Sequence, residues 1–440
     1  MRYLIVLSLL LVSLLNAQAT QQTSRAKVQK ILKQKCMDCH SDQTVYPWYA
    51  NLPIIHDLIQ ADVTKGRSYL DLEKELFSIK NERNIPKHVI VELESVITAD
   101  AMPPIQYRAI HWDSIITKED KLVILDWLDE LKGLVIEPIP SKDSLVLDQG
   151  KVLLGEKLFH DKRLSADNSL SCASCHDLTK GGTDQMRFST GIHGTKGHIN
   201  SPTVFNSVYN IKQFWDGRAD TLEAQASGPV HNPAEMGSSW DEVLSKIRDD
   251  KELLEMFKAS FGVKSGKEIT GEMIASAIAE HEKSLITPGS RFDQFLNGNR
   301  DAINAEERQG FELFKKYNCT NCHLGPAVGG TSFEKMGLAK DYFADRTAGL
   351  NGLKKMAASK EDNGRYNFNH KEDYRYKFKV PTLRNIELTY PYFHDGNVAT
   401  LNEAVRIMAE YQVGKKPSAR EIELIVKFLR TLTGEELVKK

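Results

Sequence analysis

Every cysteine in the chain belongs to a Cys-x-x-Cys-His unit: Cys36/Cys39/His40, Cys172/Cys175/His176 and Cys319/Cys322/His323. That leaves none for a disulfide framework, a zinc ribbon or a thiol nucleophile. One such unit alone is compatible with a redox pair. Three of them, each closed at once by His, point to covalent haem attachment. The chemistry needs this spacing: two thiols bond the two vinyl groups on one porphyrin edge, and the adjacent His turns under the iron as axial ligand. The sequence therefore implies three covalently bound haem c groups.

The amino terminus fits that chemistry. Met1-Arg2 precedes an apolar run from Leu4 to Leu15, followed by the small-x-small pattern Ala17-Gln18-Ala19. This is the form of a secretory signal peptide cut after Ala19, and the run is short for a membrane span. Residues 1–19 are expected to be a signal peptide and the mature protein to be periplasmic. At 440 residues the chain calls for several domains. Its formal net charge of −1 offers no case for a nucleic-acid partner.

Helical periodicity dominates the remainder. Val28, Ile31 and Leu32 lead into Cys36; Leu122, Ile124, Leu125, Leu128 and Leu131, with Trp127, form a second amphipathic pattern. Helices are expected between Trp240 and Thr287, and again where Ile422, Ile425, Phe428 and Leu429 share a face. No alternation is strong enough to predict a sheet. The fold class is mostly α, with three cytochrome c-like haem domains of which the last two pair. Pro138-Ile-Pro140-Ser141 reads as a linker, so the expected domains are 20–138, 139–300 and 301–440. Gly155-x-x-Leu158-Phe159 precedes the second haem motif and Gly310-x-x-Leu313-Phe314 the third, which suggests an internal repeat. In the first domain Met102, in a Met-Pro-Pro loop, is the candidate sixth ligand opposite His40, with His56 and His111 as competitors. A thioether ligand closes the iron and suits electron transfer.

From about Leu145 to Gly434 the chain resembles the bacterial dihaem cytochrome c peroxidases. The matching segments are Phe159-His-Asp-Lys-Arg-Leu-Ser165, Cys172-Ala-Ser-Cys-His176, Asn200-Ser-Pro-Thr203 and Phe214-Trp-Asp-Gly-Arg218. Pro233-Ala-Glu-Met236, Pro381-Thr-Leu-Arg-Asn385 and Pro391-Tyr-Phe-His-Asp-Gly396 follow in the same order. Tyr46-Pro47-Trp48-Tyr49 and the Met-Pro-Pro segment resemble a small haem-binding domain, making this a trihaem form.

The resemblance implies roles. His176 is the proximal ligand of a peroxidatic haem; Glu235 is the catalytic carboxylate, with Gln225 a nearby pocket amide. His193 matches a distal His that leaves the iron on activation, and His198 is its rival. His323 and Met408 ligate the electron-transfer haem, with Tyr411 one turn from Met408. Trp215 lies between the two haems. Asn200, Thr389 and Pro391 match a Ca2+ site, oxygen donors being what a hard cation prefers. Arg384 and His394 are read as contacts of propionate or ligand.

The expected activity is reduction of hydrogen peroxide to water, with electrons from a small c-type cytochrome, a cupredoxin or a quinol, in a homodimer. The alternatives are a MauG-like haem oxidase acting on a partner protein and a non-catalytic multihaem electron carrier.

Overall fold

The computed structural model describes residues 25–438, apart from 45, 52–54, 81, 83–84, 99–100, 109–110, 112–113 and 133–135. The expected signal peptide lies outside the described residues. No helix among them is long and apolar enough to cross a membrane. The chain divides into two compact units, one ending at Val135 and one spanning Ile136–Lys440.

The first unit packs a helix over 25–35, ending at the first haem motif, with helices Ile55–Tyr69, Lys87–Thr98 and Lys118–Lys132. Val28, Leu32, Val89, Leu93, Ile97, Ile124, Leu128 and Leu131 fill the core around Trp127. The indole N–H of Trp127 donates to Glu82 at 2.9 Å, so burying this large side chain leaves no orphan donor. Leu122, expected on the apolar face of the last helix, is exposed. At 100° per residue the face through Ile124, Trp127, Leu128 and Leu131 turns it outward.

The second unit holds two cores built on one plan. In the first, helix Gln149–Phe159 crosses helix Gly271–Ser284; in the second, Ala305–Lys316 crosses Ala419–Arg430. The Gly-x-x-Leu-Phe repeat is explained by these crossings. A Cβ at Gly155 would lie 1.9 Å from the Ala277 carbonyl, and one at Gly310 would lie 2.0 Å from the Leu424 carbonyl. Only glycine permits so close an approach. Leu158 and Phe159, or Leu313 and Phe314, then fill the space behind it. Each helix begins on a polar cap: Asp148, Thr270, and the reciprocal pairs Asn304–Glu307 and Ser418–Glu421.

The repeat runs further than those crossings. Thr203 Oγ1 donates to Gly181 O at 2.7 Å, and Thr382 Oγ1 to Ala327 O at 2.6 Å. Asn206 and Asn385, each three residues later, are both left-handed, at φ 61° and 62°. Phe214 and Phe393 also share a positive φ, beside the bridges Gln213–Ala219 and Tyr392–Val398. The one sheet among the described residues is a pair of antiparallel three-residue strands, Phe333–Lys335 (β1) and Lys377–Lys379 (β2). Strands this short leave no periodic signature, and β2 serves to carry the chain past Trp215.

Candidate active site

Each Cys-x-x-Cys-His unit is a single helical turn, and the three histidines are oriented alike. Nδ1 faces a backbone carbonyl in every case: Leu70 for His40 at 2.9 Å, Gly182 for His176 at 3.3 Å and Val328 for His323 at 3.2 Å. Donation from Nδ1–H fixes the tautomer and leaves the Nε2 lone pair for a metal. Burial holds the His323 imidazole neutral, pulling its pKa down to about 4, and lowers that of His176 in the same sense. The thiols of Cys36, Cys172, Cys319 and Cys322 are pushed up to about 12, mainly by burial. Such thiols are poor nucleophiles and poor zinc ligands. No three His, Cys, Asp or Glu side chains among the described residues converge as a metal cluster. A neutral dithiol beside a pre-oriented imidazole fits haem c at all three positions.

Beside the second Cys-x-x-Cys-His unit the fold places a half-buried carboxyl group, Glu235. The turn after helix Leu222–His231 is built by Asn232, whose Oδ1 accepts from Ala234 N–H at 3.0 Å. Its Nδ2 donates to Glu235 Oε1 at 2.7 Å, which leaves Oε2 free of that contact. Burial raises the Glu235 pKa; the Arg218 charge and the Asn232 hydrogen bond oppose that rise. Arg218 is itself fixed by stacking 3.6 Å over the Phe214 ring and by Asp216 at 3.0 Å. Gln225, on the same helix as the turn, has its Oε1 buried without a hydrogen-bond partner. A second carboxylic acid, Glu282, is buried close enough to act on Cys172, and its pKa is pushed up to about 8 by burial and by Glu223.

The loop carrying His193 is docked on this turn. Ile192 N–H donates to Glu235 O at 2.9 Å, and Gly191 packs so tightly that a Cβ would lie 2.0 Å from Ala234 O. His193 adopts φ 56°, a left-handed conformation that a side chain disfavours. Its ring is 73% exposed and stands 3.9 Å from Asp167. His198 is exposed as well.

In the second core Met408, half-buried, opens a π-helical turn, Met408–Gln412, which continues helix Leu401–Ile407. Tyr411 is fully buried and donates its hydroxyl to Asp345 at 2.9 Å. Trp215 joins the cores: its indole N–H donates to Asn200 O, and its carbonyl accepts from Lys379 N–H, both at 2.8 Å. Asn200 is buried, with Nδ2 on the carbonyls of Met186 and Arg187. The turn before Thr389 and cis Pro391 reaches the same segment, Leu388 O accepting from Gln185 Nε2 at 3.0 Å.

Two buried cations already have anionic partners within the fold. Arg346 pairs with Asp362 at 2.5 Å and Asp395 at 2.7 Å, and His394 bonds Asp362 at 2.9 Å. Arg384 spends its guanidinium on Asp293, Ser290 and the carbonyls of Pro326 and Glu137, a brace within the protein. In the first unit His111 Nε2 is taken by the Tyr49 hydroxyl and His56 Nδ1 faces Ala50 O at 3.1 Å, while Met102 is half-buried.

Sequence spacing alone does not bring forward Asn232, Glu282 or Lys379. Asn232 precedes a Pro-Ala-Glu motif that drew attention to the carboxylate alone. Lys379 stands two residues before Pro381, as Asn200 does before Pro202, so aligning the two Pro-Thr-x-x-Asn segments would have singled it out.

Residues 149–301 match the di-haem cytochrome c peroxidase family and residues 10–130 a haem-binding domain. The chain is 40% identical over 440 aligned residues to cytochrome c peroxidase Ccp of Escherichia coli K12, covering 95% of this chain and 90% of the relative. The chain belongs to the bacterial di-haem cytochrome c peroxidase family. As a family member it is an oxidoreductase of the peroxidase class. It is also 46% identical over 301 residues to cytochrome c551 peroxidase of Nitrosomonas europaea, covering 68% of this chain and 84% of the relative. Among solved structures, a MauG-like protein associated with microbial copper homeostasis superposes with a TM-score of 0.59 at 28% identity, covering 69% of this chain and 95% of the other.

Proposed function

We propose that this peroxidase reduces hydrogen peroxide to two waters in the periplasm, consuming two electrons and two protons per turnover. The electrons come from a small c-type cytochrome, a cupredoxin or a quinol. The observation that carries the reading is Glu235: a carboxylate raised in pKa by burial, held at one oxygen by Asn232, on a turn to which the His193 loop is docked. Haem bound at Cys172, Cys175 and His176 would supply the iron that meets peroxide and one of the two electrons.

Glu235 takes the proton of the near peroxide oxygen and delivers it to the far one as the O–O bond breaks. A carboxylate with a raised pKa suits both halves of that transfer, being a better base than an ordinary Glu and still able to give the proton back. Gln225, whose buried carbonyl oxygen has no protein partner, is read as a hydrogen-bond acceptor for the substrate. His193 is read as a ligand that yields its place. Its exposure, its strained backbone and its proximity to Asp167 support a loop that holds it off in the arrangement seen here.

Met408 is the proposed axial partner of His323. Engagement of the Tyr411 hydroxyl by Asp345 supports Met over Tyr. Trp215, bonded to both cores, is the proposed electron bridge. His40 and Met102 would hold the third haem as an additional entry port. A structural Ca2+ at Asn200, Thr389 and Pro391 is supported by the convergence of both segments on Gln185–Arg187.

The test is peroxide consumption by the trihaem, half-reduced, Ca2+-loaded protein with a reduced c-type cytochrome as donor. Turnover on the order of 10 s⁻¹ is expected, and a rate near zero would refute the reading.

A further inference from the structure

Lys379 is a buried cation of the second unit for which the fold supplies no anion among the described residues. It ends β2, is 7% exposed, and makes no side-chain hydrogen bond or ion pair among the described residues. An ammonium largely removed from water and left without an anion is strongly disfavoured, so such a group signals a partner of opposite charge. The other deeply buried cations here have theirs: Arg346 has Asp362 and Asp395, and Arg384 has Asp293. Burial alone pulls the Lys379 amine down to about 8, with no carboxylate acting to raise it.

Its neighbours say what the partner is. Two residues on, the carbonyl of Pro381 bears on the ring of His323, which brings the end of β2 beside the third Cys-x-x-Cys-His unit. On the other side its backbone N–H is bonded to Trp215 O at 2.8 Å. At the matching position of the first core the chain has Asn200, whose amide is spent on backbone carbonyls. A cation therefore stands in one core where the other has a neutral amide.

We propose that the Lys379 ammonium binds a carboxylate of the haem attached at Cys319 and Cys322, one of its propionates, and thereby raises the reduction potential of that haem relative to the one at Cys172 and Cys175. The inference rests on the reading of Cys319–His323 as a haem site. The physical consequence is electrostatic: a fixed positive charge near the porphyrin favours the reduced iron, which carries one positive charge less.

The experiment uses the haem-loaded full chain, wild type, Lys379→Met and Lys379→Arg, with haem labelled by carbon-13 at the propionate carboxyls. Spectroelectrochemical titration should show one reduction step moved to lower potential in Lys379→Met and restored in Lys379→Arg. That step should be the one absent from the Cys319→Ala/Cys322→Ala variant. The redox infrared difference spectrum should show a labelled carboxylate band that shifts in Lys379→Met. Unchanged potentials in Lys379→Met would overturn the proposal, as would a shift confined to another haem. So would a wild-type potential that follows added chloride or phosphate while the labelled band stays fixed, which would assign Lys379 to a free anion. Neither readout needs turnover, so loss of the peroxidase reading would leave the Lys379 result legible.

Discussion

The two cores of the second unit share a plan and differ in what they place beside the haem motif. Both have a glycine-mediated helix crossing, a Pro-Thr-x-x-Asn segment and a histidine pinned at Nδ1. The first then adds an exposed loop histidine and two carboxylic acids, the half-buried Glu235 and the buried Glu282. The second adds Met408 and a rigid network of Tyr411, Asp345, Arg346, Asp362 and His394. In the proposed function, one scaffold serves proton chemistry at a site that opens and electron storage at a site that stays closed.

The largest effect expected from breaking that contrast is at Glu235. Glu235→Gln keeps the shape and removes the base, so peroxide turnover should fall about 10²–10⁴-fold while the absorption spectra of all three haems stay unchanged. An equal loss with altered haem spectra would mean that Glu235 is structural. Next come the paired crossings. Gly155→Ala and Gly310→Ala each force a methyl against a carbonyl and should each destabilise the unit by about 1–3 kcal/mol in denaturant titrations. If only one of them matters, the two cores are not built alike.

A smaller effect tests the ligand in the second core. Tyr411→Phe deletes one hydrogen bond to Asp345 and should cost about 1 kcal/mol of stability with the haem spectra intact. Met408→Leu should change the spectrum of one haem and leave the other two alone. The reverse pattern would transfer the axial role to Tyr411.

The finest test is Asn232→Ala. The Asn232 hydrogen bond lowers the Glu235 pKa against burial, which raises it. Glu235 must be ionised to accept the peroxide proton, so the rate falls as pH drops through its pKa. Removing Asn232 raises that pKa further, and the acid limb of the kcat profile should move to higher pH. A limb that stays in place or moves down would show that Asn232 does not tune Glu235.

Much of this was readable in the chain because covalent chemistry is local. A Cys-x-x-Cys-His unit is written within five consecutive residues, and the three units use every cysteine. The Gly-x-x-Leu-Phe segments were visible as a repeat because one close crossing needs glycine at one residue and bulk three and four residues later. Helix faces were readable to within a turn, with Leu122 misplaced because a mixed polar–apolar stretch admits two overlapping faces. The short β1–β2 pair had no periodicity to read.

The three Cys-x-x-Cys-His units, the helical class and the Pro-Ala-Glu motif are legible in the chain, since each depends on residues adjacent or nearly so. The engagement of Tyr411 by Asp345, the bracing by Arg384, the exposure of His193 beside Asp167 and the burial of Lys379 without a partner among the described residues emerge from the folded chain alone. Those facts turn on which charges meet and which water is excluded. Both are properties of segments tens to hundreds of residues apart, set by packing and not by spacing along the chain.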